Sequence, residues 1–137
     1  MNLEDGVSLL ISGRRDGLRY QGVGLAVSRN AKKALNEWEP TDERLLHARL
    51  KSKHGNINKL VCYAPTNNAP DDMKDDFYGK LQDALGRIAR LEILLCTGDF
   101  NAVLGRSNEE FEKCMGKLGA GSRMKENGIR FGVLFSK

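Results

Sequence analysis

The stretch that most constrains this chain is an apolar run, Ile93 to Cys96, which is followed by the turn Gly98-Asp99-Phe100-Asn101. Because the run shows no alternation of polar and apolar residues, it predicts a buried strand covered on both faces. Gly98 permits a tight backbone turn. With Phe100 turned back into the core, Asp99 and Asn101 would project together from the end of the strand. Open α/β sheets usually place their functional sites at this end of a strand.

The pairing of Asp99 with Asn101 suits phosphodiester hydrolysis. A carboxylate can hold or activate a water molecule, or bind a magnesium ion. An asparagine amide cannot ionise, so it can donate hydrogen bonds to phosphate oxygens without adding repulsive charge. Asp and Asn are also common turn residues, and a plain strand-to-loop turn would have the same spacing. The spacing alone leaves both interpretations open.

The elements around this run predict a mixed α/β (α+β) fold. Strands are expected at 7–11 and 22–28, and a hairpin at 43–51 and 57–64. A helix is expected over 71–90, and 127–135 reads either as a turn or as a last helix. An apolar stripe along the first helix predicts its core face, and it consists of Met73, Phe77, Leu81, Leu85 and Ile88. The order of elements indicates a mixed sheet with a helix on at least one face.

Composition narrows the class of protein less sharply. The chain has 137 residues, 40% hydrophobic and 29% charged, which is the balance of one globular domain. Its net charge of +4 is compatible with a polyanionic partner. Three widely spaced cysteines give neither a disulfide framework nor a zinc motif, and Cys62 and Cys96 are expected as small buried hydrophobes. No signal peptide or membrane span is indicated, so we expect a nuclear or cytoplasmic protein that is not secreted.

A second group of candidate residues follows the hairpin, in Tyr63-Ala64-Pro65-Thr66-Asn67. Tyr63 lies near the end of its strand, where its phenol could contact a phosphate group. The same position suits an ordinary core tyrosine, which would be favoured for this stretch taken alone.

Considered together, these motifs resemble the endonuclease/exonuclease/phosphatase family. The closer likeness is to the endonuclease domain of non-LTR retrotransposons and to the craniofacial development protein 2-like proteins derived from them. It covers roughly residues 13–135. The motifs that carry it are Gly22 to Ser28, Glu43-Arg44-Leu45, Tyr63 to Thr66, Phe77 with Leu81, Gly98 to Ala102 with Gly105, Gly116 to Gly119, and Glu126-Asn127-Gly128.

The resemblance implies a two-sheet α/β sandwich that hydrolyses DNA with magnesium as cofactor. By this analogy Asp99 orients or deprotonates the attacking water, and Asn101 stabilises the phosphorane-like transition state. Tyr63 contacts the scissile phosphate, and Thr66 or Asn67 contacts the DNA backbone beside it. DNA is the implied partner, and the nucleus the implied location.

The chain also departs from the family pattern. The family carries a magnesium-binding glutamate on an early segment and an aspartate–histidine pair on its last strand, whereas this sequence has no histidine after His54. We therefore expect residues 1–137 to form a single partial domain, with no metal ligand assigned in it. Loss of cooperating groups costs several orders of magnitude in rate, so the activity should be absent or very weak. A non-catalytic DNA-binding or scaffold remnant and a phosphatase of the same superfamily remain as alternatives.

Overall fold

The computed structural model describes residues 6–17, 21–104, 111, 113–114 and 125–136. These residues form six strands and three helices, and the strands make one two-stranded and one four-stranded sheet. This content confirms the predicted α+β class and is consistent with a two-sheet sandwich. None of the helices among these residues has the length and apolar character needed to cross a membrane. The expected motif at Gly116 to Gly119, and Gly105, fall outside the described residues.

The chain divides into two compact units. The first comprises Met1–Tyr63 and Ala84–Gly98, and the second comprises Ala64–Asp83 and Asp99–Lys137. The first unit contains both sheets, and the second contains the third helix and most of the second.

In the first unit, strands β1 (Ser8–Gly13) and β2 (Gly22–Val27) form an antiparallel pair. The second sheet has the order β3-β4-β5-β6, from β3 (Leu35–Asp42), β4 (Leu45–Ser52), β5 (Gly55–Tyr63) and β6 (Ile93–Asp99). Strands β4 and β5 are antiparallel and joined by a tight turn, with Ser52 paired to Gly55, which confirms the predicted hairpin.

The core of this unit lies between the two sheets. Both contribute side chains to one buried cluster, which contains Leu10, Val23, Val27, Leu46 and Ala48. Burial of these apolar groups is the main favourable contribution to holding one sheet on the other. Leu46 and Ala48 are two residues apart on β4 and so lie on the same face of the strand, and both are buried.

The expectation for the strand before the Asp99 turn was wrong in one respect. Strand β6 exists, but it lies at the edge of its sheet and is not covered on both faces. Its burial alternates at first, with Ile93 48% and Leu95 47% exposed and with Leu94 and Cys96 half-buried. An unbroken apolar run does not distinguish a strand covered on two faces from one covered on a single face. For the same reason Cys96 is only half-buried, whereas Cys62 on β5 is buried as expected.

Two elements of the first unit had no counterpart in the sequence prediction. Helix α1 (Arg29–Ala34) is one and a half turns long, and Ser28 caps it by accepting a hydrogen bond from the Ala31 amide. Strand β3 is an edge strand that contains Pro40 and two register irregularities. Proline is tolerated on an edge because no ladder hydrogen bond is lost there. Mostly exposed residues without alternation give no strand signal in the sequence.

Helix α2 (Asp71–Gly86) begins where predicted and ends four residues earlier, at a glycine. Its buried residues include Phe77 and Leu81, as the stripe predicted, but Met73 is 43% exposed. Helix α3 (Glu126–Phe135) shows that the last segment is a helix and not only a turn.

A polar cluster on the four-stranded sheet surrounds Glu92. The Glu92 carboxylate accepts hydrogen bonds from Asn56 Nδ2 at 2.8 Å and Asn58 Nδ2 at 2.7 Å, and it pairs with the Arg49 guanidinium. These amides and the guanidinium hold the pKa of Glu92 at about 2. His47 Nε2 donates to Asn58 Oδ1 at 2.9 Å, so its polar partner is an amide oxygen.

Candidate active-site corner

Within the second unit, the chain leaving β6 forms a sharp corner at Asp99. The Asp99 carbonyl accepts a hydrogen bond from the Ala64 amide at 2.8 Å, which joins the segment after β6 to the segment after β5. The Asp99 carboxylate accepts the Asn101 amide through Oδ1 at 2.8 Å, and the side chain is exposed. A charged oxygen is thereby held at the surface in a defined direction.

Asn101 holds the corner in an uncommon backbone conformation. Its φ of +45° lies in the left-handed region, which asparagine tolerates better than most residues because of its short polar side chain. Its Nδ2 donates to the Ala64 carbonyl at 2.8 Å. Such conformations persist where the surroundings fix them, and they are concentrated at functional sites.

The side chain of Asn127 on α3 holds the corner in place through hydrogen bonds. Its side chain is fully buried, with 0% of its surface exposed. Its Nδ2 donates to the Pro65 carbonyl at 2.9 Å and to the Asn101 carbonyl at 3.2 Å. Its Oδ1 is buried and, among the described residues, has no hydrogen-bond partner. One amide thus connects the two segments that follow β5 and β6.

Asn67 and Thr66, predicted to contact the DNA backbone, lie in the loop before α2. Asn67 Oδ1 accepts the backbone amide of Asn127 at 3.3 Å, and so satisfies one of the free amides in the first turn of α3. The N-cap residue of α3, Lys125, makes no such side-chain bond itself. Thr66 is exposed, and its carbonyl accepts the Ala69 amide at 3.0 Å in a turn. Asn67 is thus part of the network around Asn127.

A buried lysine braces the same loop. Lys74 on α2 is only 2% exposed, and its ammonium donates to Glu126 Oε2 at 2.8 Å, to Asn67 O at 3.1 Å and to Asp71 Oδ1 at 3.2 Å. Three acceptors satisfy its three donors. Pairing with Glu126 raises the pKa of Lys74, and pairing with Lys74 and then Arg130 lowers the pKa of Glu126.

Sequence reasoning did not single out Asn127 or Lys74 as site residues. Lys74 falls three and seven residues before Phe77 and Leu81, which places a lysine on the buried face of an otherwise apolar stripe. That signal was present in the sequence. Asn127 carried no signal beyond its place in the resemblance, because its importance depends on carbonyls 26 and 62 residues away.

Tyr63, the other predicted site residue, belongs to the first unit. It is half-buried and packs against the core cluster between the sheets. The Arg44 guanidinium lies 5.2 Å from the centre of its ring, and Arg44 Nη1 donates to the Tyr63 carbonyl at 3.1 Å. The structure therefore brings Asp99, Asn101 and Asn67 into one network, while Tyr63 sits in the other unit.

The corner residues do not by themselves fit a magnesium ion. Magnesium requires near-octahedral oxygen ligands and usually one or two carboxylates. Here the corner offers Asp99 alone, and one of its oxygens already accepts the Asn101 amide. Across the described residues no group of three His, Cys, Asp or Glu side chains could hold a metal. The arrangement can orient a water molecule at Asp99 and present an amide N–H of Asn101 to an anion.

No protein-family model matches the chain. Two curated relatives do: craniofacial development protein 2 of Bos taurus is 29% identical over 107 residues, and that of Tragulus javanicus is 28% identical over 107 residues. Each match covers 78% of this chain but only 18% of the relative, so the chain spans less than a fifth of the relatives' length. The chain is therefore weakly similar to craniofacial development protein 2, as its motifs predicted.

Proposed function

We propose that this chain is part of an endonuclease domain of the endonuclease/exonuclease/phosphatase type, related to retrotransposon endonucleases, and that it retains a very weak form of the ancestral reaction, hydrolysis of DNA phosphodiester bonds. The observation that carries the proposal is the corner in the second unit. An exposed carboxylate follows a strand, and beside it an asparagine with positive φ is held by a buried amide. A plain turn would not need a buried side-chain amide such as that of Asn127 to hold its carbonyls.

In this proposal Asp99 acts on the attacking water. Its Oδ1 is fixed by the Asn101 amide, which leaves Oδ2 to accept a proton from, or orient, a water molecule. Asn101 Nδ2 has two N–H bonds; Ala64 O takes one, and the other is assigned to a non-bridging phosphate oxygen. A neutral amide beside a carboxylate stabilises developing negative charge without changing the charge of the site.

The roles proposed for the other residues differ in their structural support. Asn67 contacts the corner network directly, so a contact with the DNA backbone would have to use the parts of its side chain that Asn127 does not occupy. Thr66 is exposed and could reach a phosphate. The proposed contact between Tyr63 and the scissile phosphate rests on the family analogy alone.

The likeness to craniofacial development protein 2 supports the proposal, because the motifs resemble proteins of that type together with retrotransposon endonuclease domains. DNA as partner, magnesium as cofactor and a nuclear location belong to the proposal as family expectations. Since the described corner does not fit magnesium by itself, no step here depends on that ion.

The proposal is tested with the full chain and three substrates in magnesium buffer: supercoiled plasmid, a short duplex DNA and p-nitrophenyl phosphate. We expect slow plasmid nicking, duplex binding that weakens steeply as salt increases, and no release of nitrophenol. Nitrophenol release without nicking would favour the phosphatase alternative. Salt-dependent binding with no nicking would favour the non-catalytic remnant.

A further inference from the structure

Two thiols of the first unit lie within contact distance on neighbouring strands. Cys62 is on β5 and Cys96 on β6, 34 residues apart in sequence, and their Sγ atoms are separated by 3.7 Å. Both are free thiols. A disulfide requires the sulfurs to approach to about 2.05 Å, so the two side chains must move closer together before the bond forms.

The two thiols differ in accessibility and in proton affinity. Cys62 is 1% exposed, whereas Cys96 lies on the edge strand and is half-buried, so a small oxidant in solution reaches Cys96 first. The hydrogen bond from Cys62 and the positive charge of Lys59 lower the pKa of Cys96. The contact with Cys96, together with burial, raises the pKa of Cys62. Cys96 is therefore the more acidic of the two thiols.

We propose that Cys62 and Cys96 form a modification site, a dithiol that hydrogen peroxide converts to an intramolecular disulfide. Cys96 is the attacking sulfur and Cys62 the resolving sulfur. This inference does not depend on the nuclease proposal, because it involves only the first unit and no substrate.

The chemistry balances with peroxide as the sole oxidant. The Cys96 thiolate attacks one peroxide oxygen, the O–O bond breaks, and the departing hydroxide takes a proton to become water, leaving Cys96 as a sulfenic acid. Cys62 Sγ then attacks Cys96 Sγ. The S–S bond forms, the S–O bond breaks, and the leaving hydroxide takes the Cys62 proton as a second water. Two thiols are oxidised by two electrons in total, and one peroxide is reduced to two waters.

The disulfide would join β6 to β5 two residues before Gly98. Gly98 lies directly against the Cys62 backbone, since a Cβ added at Gly98 would fall 1.8 Å from the Cys62 carbonyl oxygen. The cross-link therefore acts where β6 already depends on close backbone contact. In a reducing compartment such a bond would be transient, as in thiol-based redox sensing.

The test uses the folded full chain, one molar equivalent of hydrogen peroxide and then N-ethylmaleimide under denaturing conditions. We expect the intact mass to show one alkylated thiol in place of three. Tryptic digestion should give a single linked pair, the peptide Leu60–Lys74 joined to Leu91–Arg106, which dithiothreitol separates. The exposed Cys114 should carry the alkyl group.

Three variants make the assignment specific. Cys62→Ser should leave Cys96 as a sulfenic acid that dimedone captures, and Cys96→Ser should leave Cys62 reduced. The matched control Cys114→Ser should form the same linked pair as the natural chain. Three alkylated thiols after peroxide, a linked pair that contains Cys114, or linkage only between two copies of the chain would each overturn the proposal. So would dimedone capture at Cys62 in place of Cys96.

Discussion

The side-chain amide of Asn127 donates to the main-chain carbonyl of Asn101 at 3.2 Å, and so a residue of helix α3 holds the backbone of the Asp99 corner. The same nitrogen donates to the Pro65 carbonyl at 2.9 Å. Two carbonyls in different segments of the second unit therefore depend on one buried amide. Loss of this amide would leave both carbonyls without that donor in a buried setting.

Replacement of Asn127 by leucine should lower the free energy of unfolding by about 2–4 kcal/mol, because buried carbonyls would lose their donor. Urea unfolding at neutral pH measures this. The control Asn68→Leu, at an exposed loop position, should change stability by less than about 0.5 kcal/mol. Equal effects of the two substitutions would contradict the role given to Asn127.

Asn127→Asp tests the same contact through pH. An ionised carboxylate facing two carbonyls is disfavoured, so the pKa of the new side chain should be raised in the folded state. The variant should then be most stable below the unfolded-state pKa of about 3.9 and lose stability as pH rises above it. A variant whose stability relative to the natural chain did not fall between pH 4 and pH 7 would argue against this arrangement.

Substitution by alanine should have opposite effects on stability at Gly98 and at Gly79. Gly98 has φ of +142° and lies where a Cβ would overlap the Cys62 carbonyl, so Gly98→Ala should cost about 3–5 kcal/mol or prevent folding. Gly79 lies on α2 with nothing within 4 Å of an added Cβ. Gly79→Ala should therefore raise stability by about 0.5–1 kcal/mol through helix propensity. Thermal and urea unfolding of both variants test the contrast, and a tolerated Gly98→Ala would show that β6 is not held this closely.

The Glu92 cluster predicts a defined acid sensitivity of the first unit. Hydrogen bonds from Asn56 and Asn58 and the pairing with Arg49 lower the pKa of Glu92 to about 2. Its contribution to stability is therefore complete above the unfolded-state value of about 4.3 and is lost as pH falls toward 2. Glu92→Gln should be less stable than the natural chain at pH 7, with the gap narrowing below pH 4. A gap of the same size at pH 7 and pH 2.5 would contradict this role of Glu92.

Local pattern predicted the elements that carry regular signals and missed those that depend on distant partners. Alternation identified the β4–β5 hairpin, and the stripe through Phe77 and Leu81 identified α2. Strand β3 was missed because an exposed edge strand with Pro40 has no alternation to read. Strand β6 was expected to be covered on both faces, but one face is exposed, because an apolar run records hydrophobicity and not how many layers pack against the strand.

The candidate site shows the same difference between residues with a local sequence signal and residues whose role depends on distant contacts. The residues at the corner, Asp99 and Asn101, were identified from strand-end chemistry, and Asn67 from its neighbourhood. The residues that hold them in place, Lys74 and Asn127, could not be predicted. They act through contacts with Asn67, Pro65 and Asn101 that form only in the folded chain. A sequence pattern can indicate which groups are suited to a reaction, whereas the groups that hold them depend on tertiary contacts.

The most direct test of the central claim, that the Asp99 corner acts on DNA phosphodiesters, is nicking of supercoiled plasmid, in magnesium buffer, by the natural chain, Asp99→Asn and Asp83→Asn. Asn at position 99 keeps a carbonyl oxygen for the Asn101 amide, so the corner can persist while the base is lost. Asp83→Asn removes the same charge from an exposed site on α2. We predict slow nicking by the natural chain and by Asp83→Asn, and none by Asp99→Asn. Equal nicking by all three proteins, or none by the natural chain, would contradict the claim.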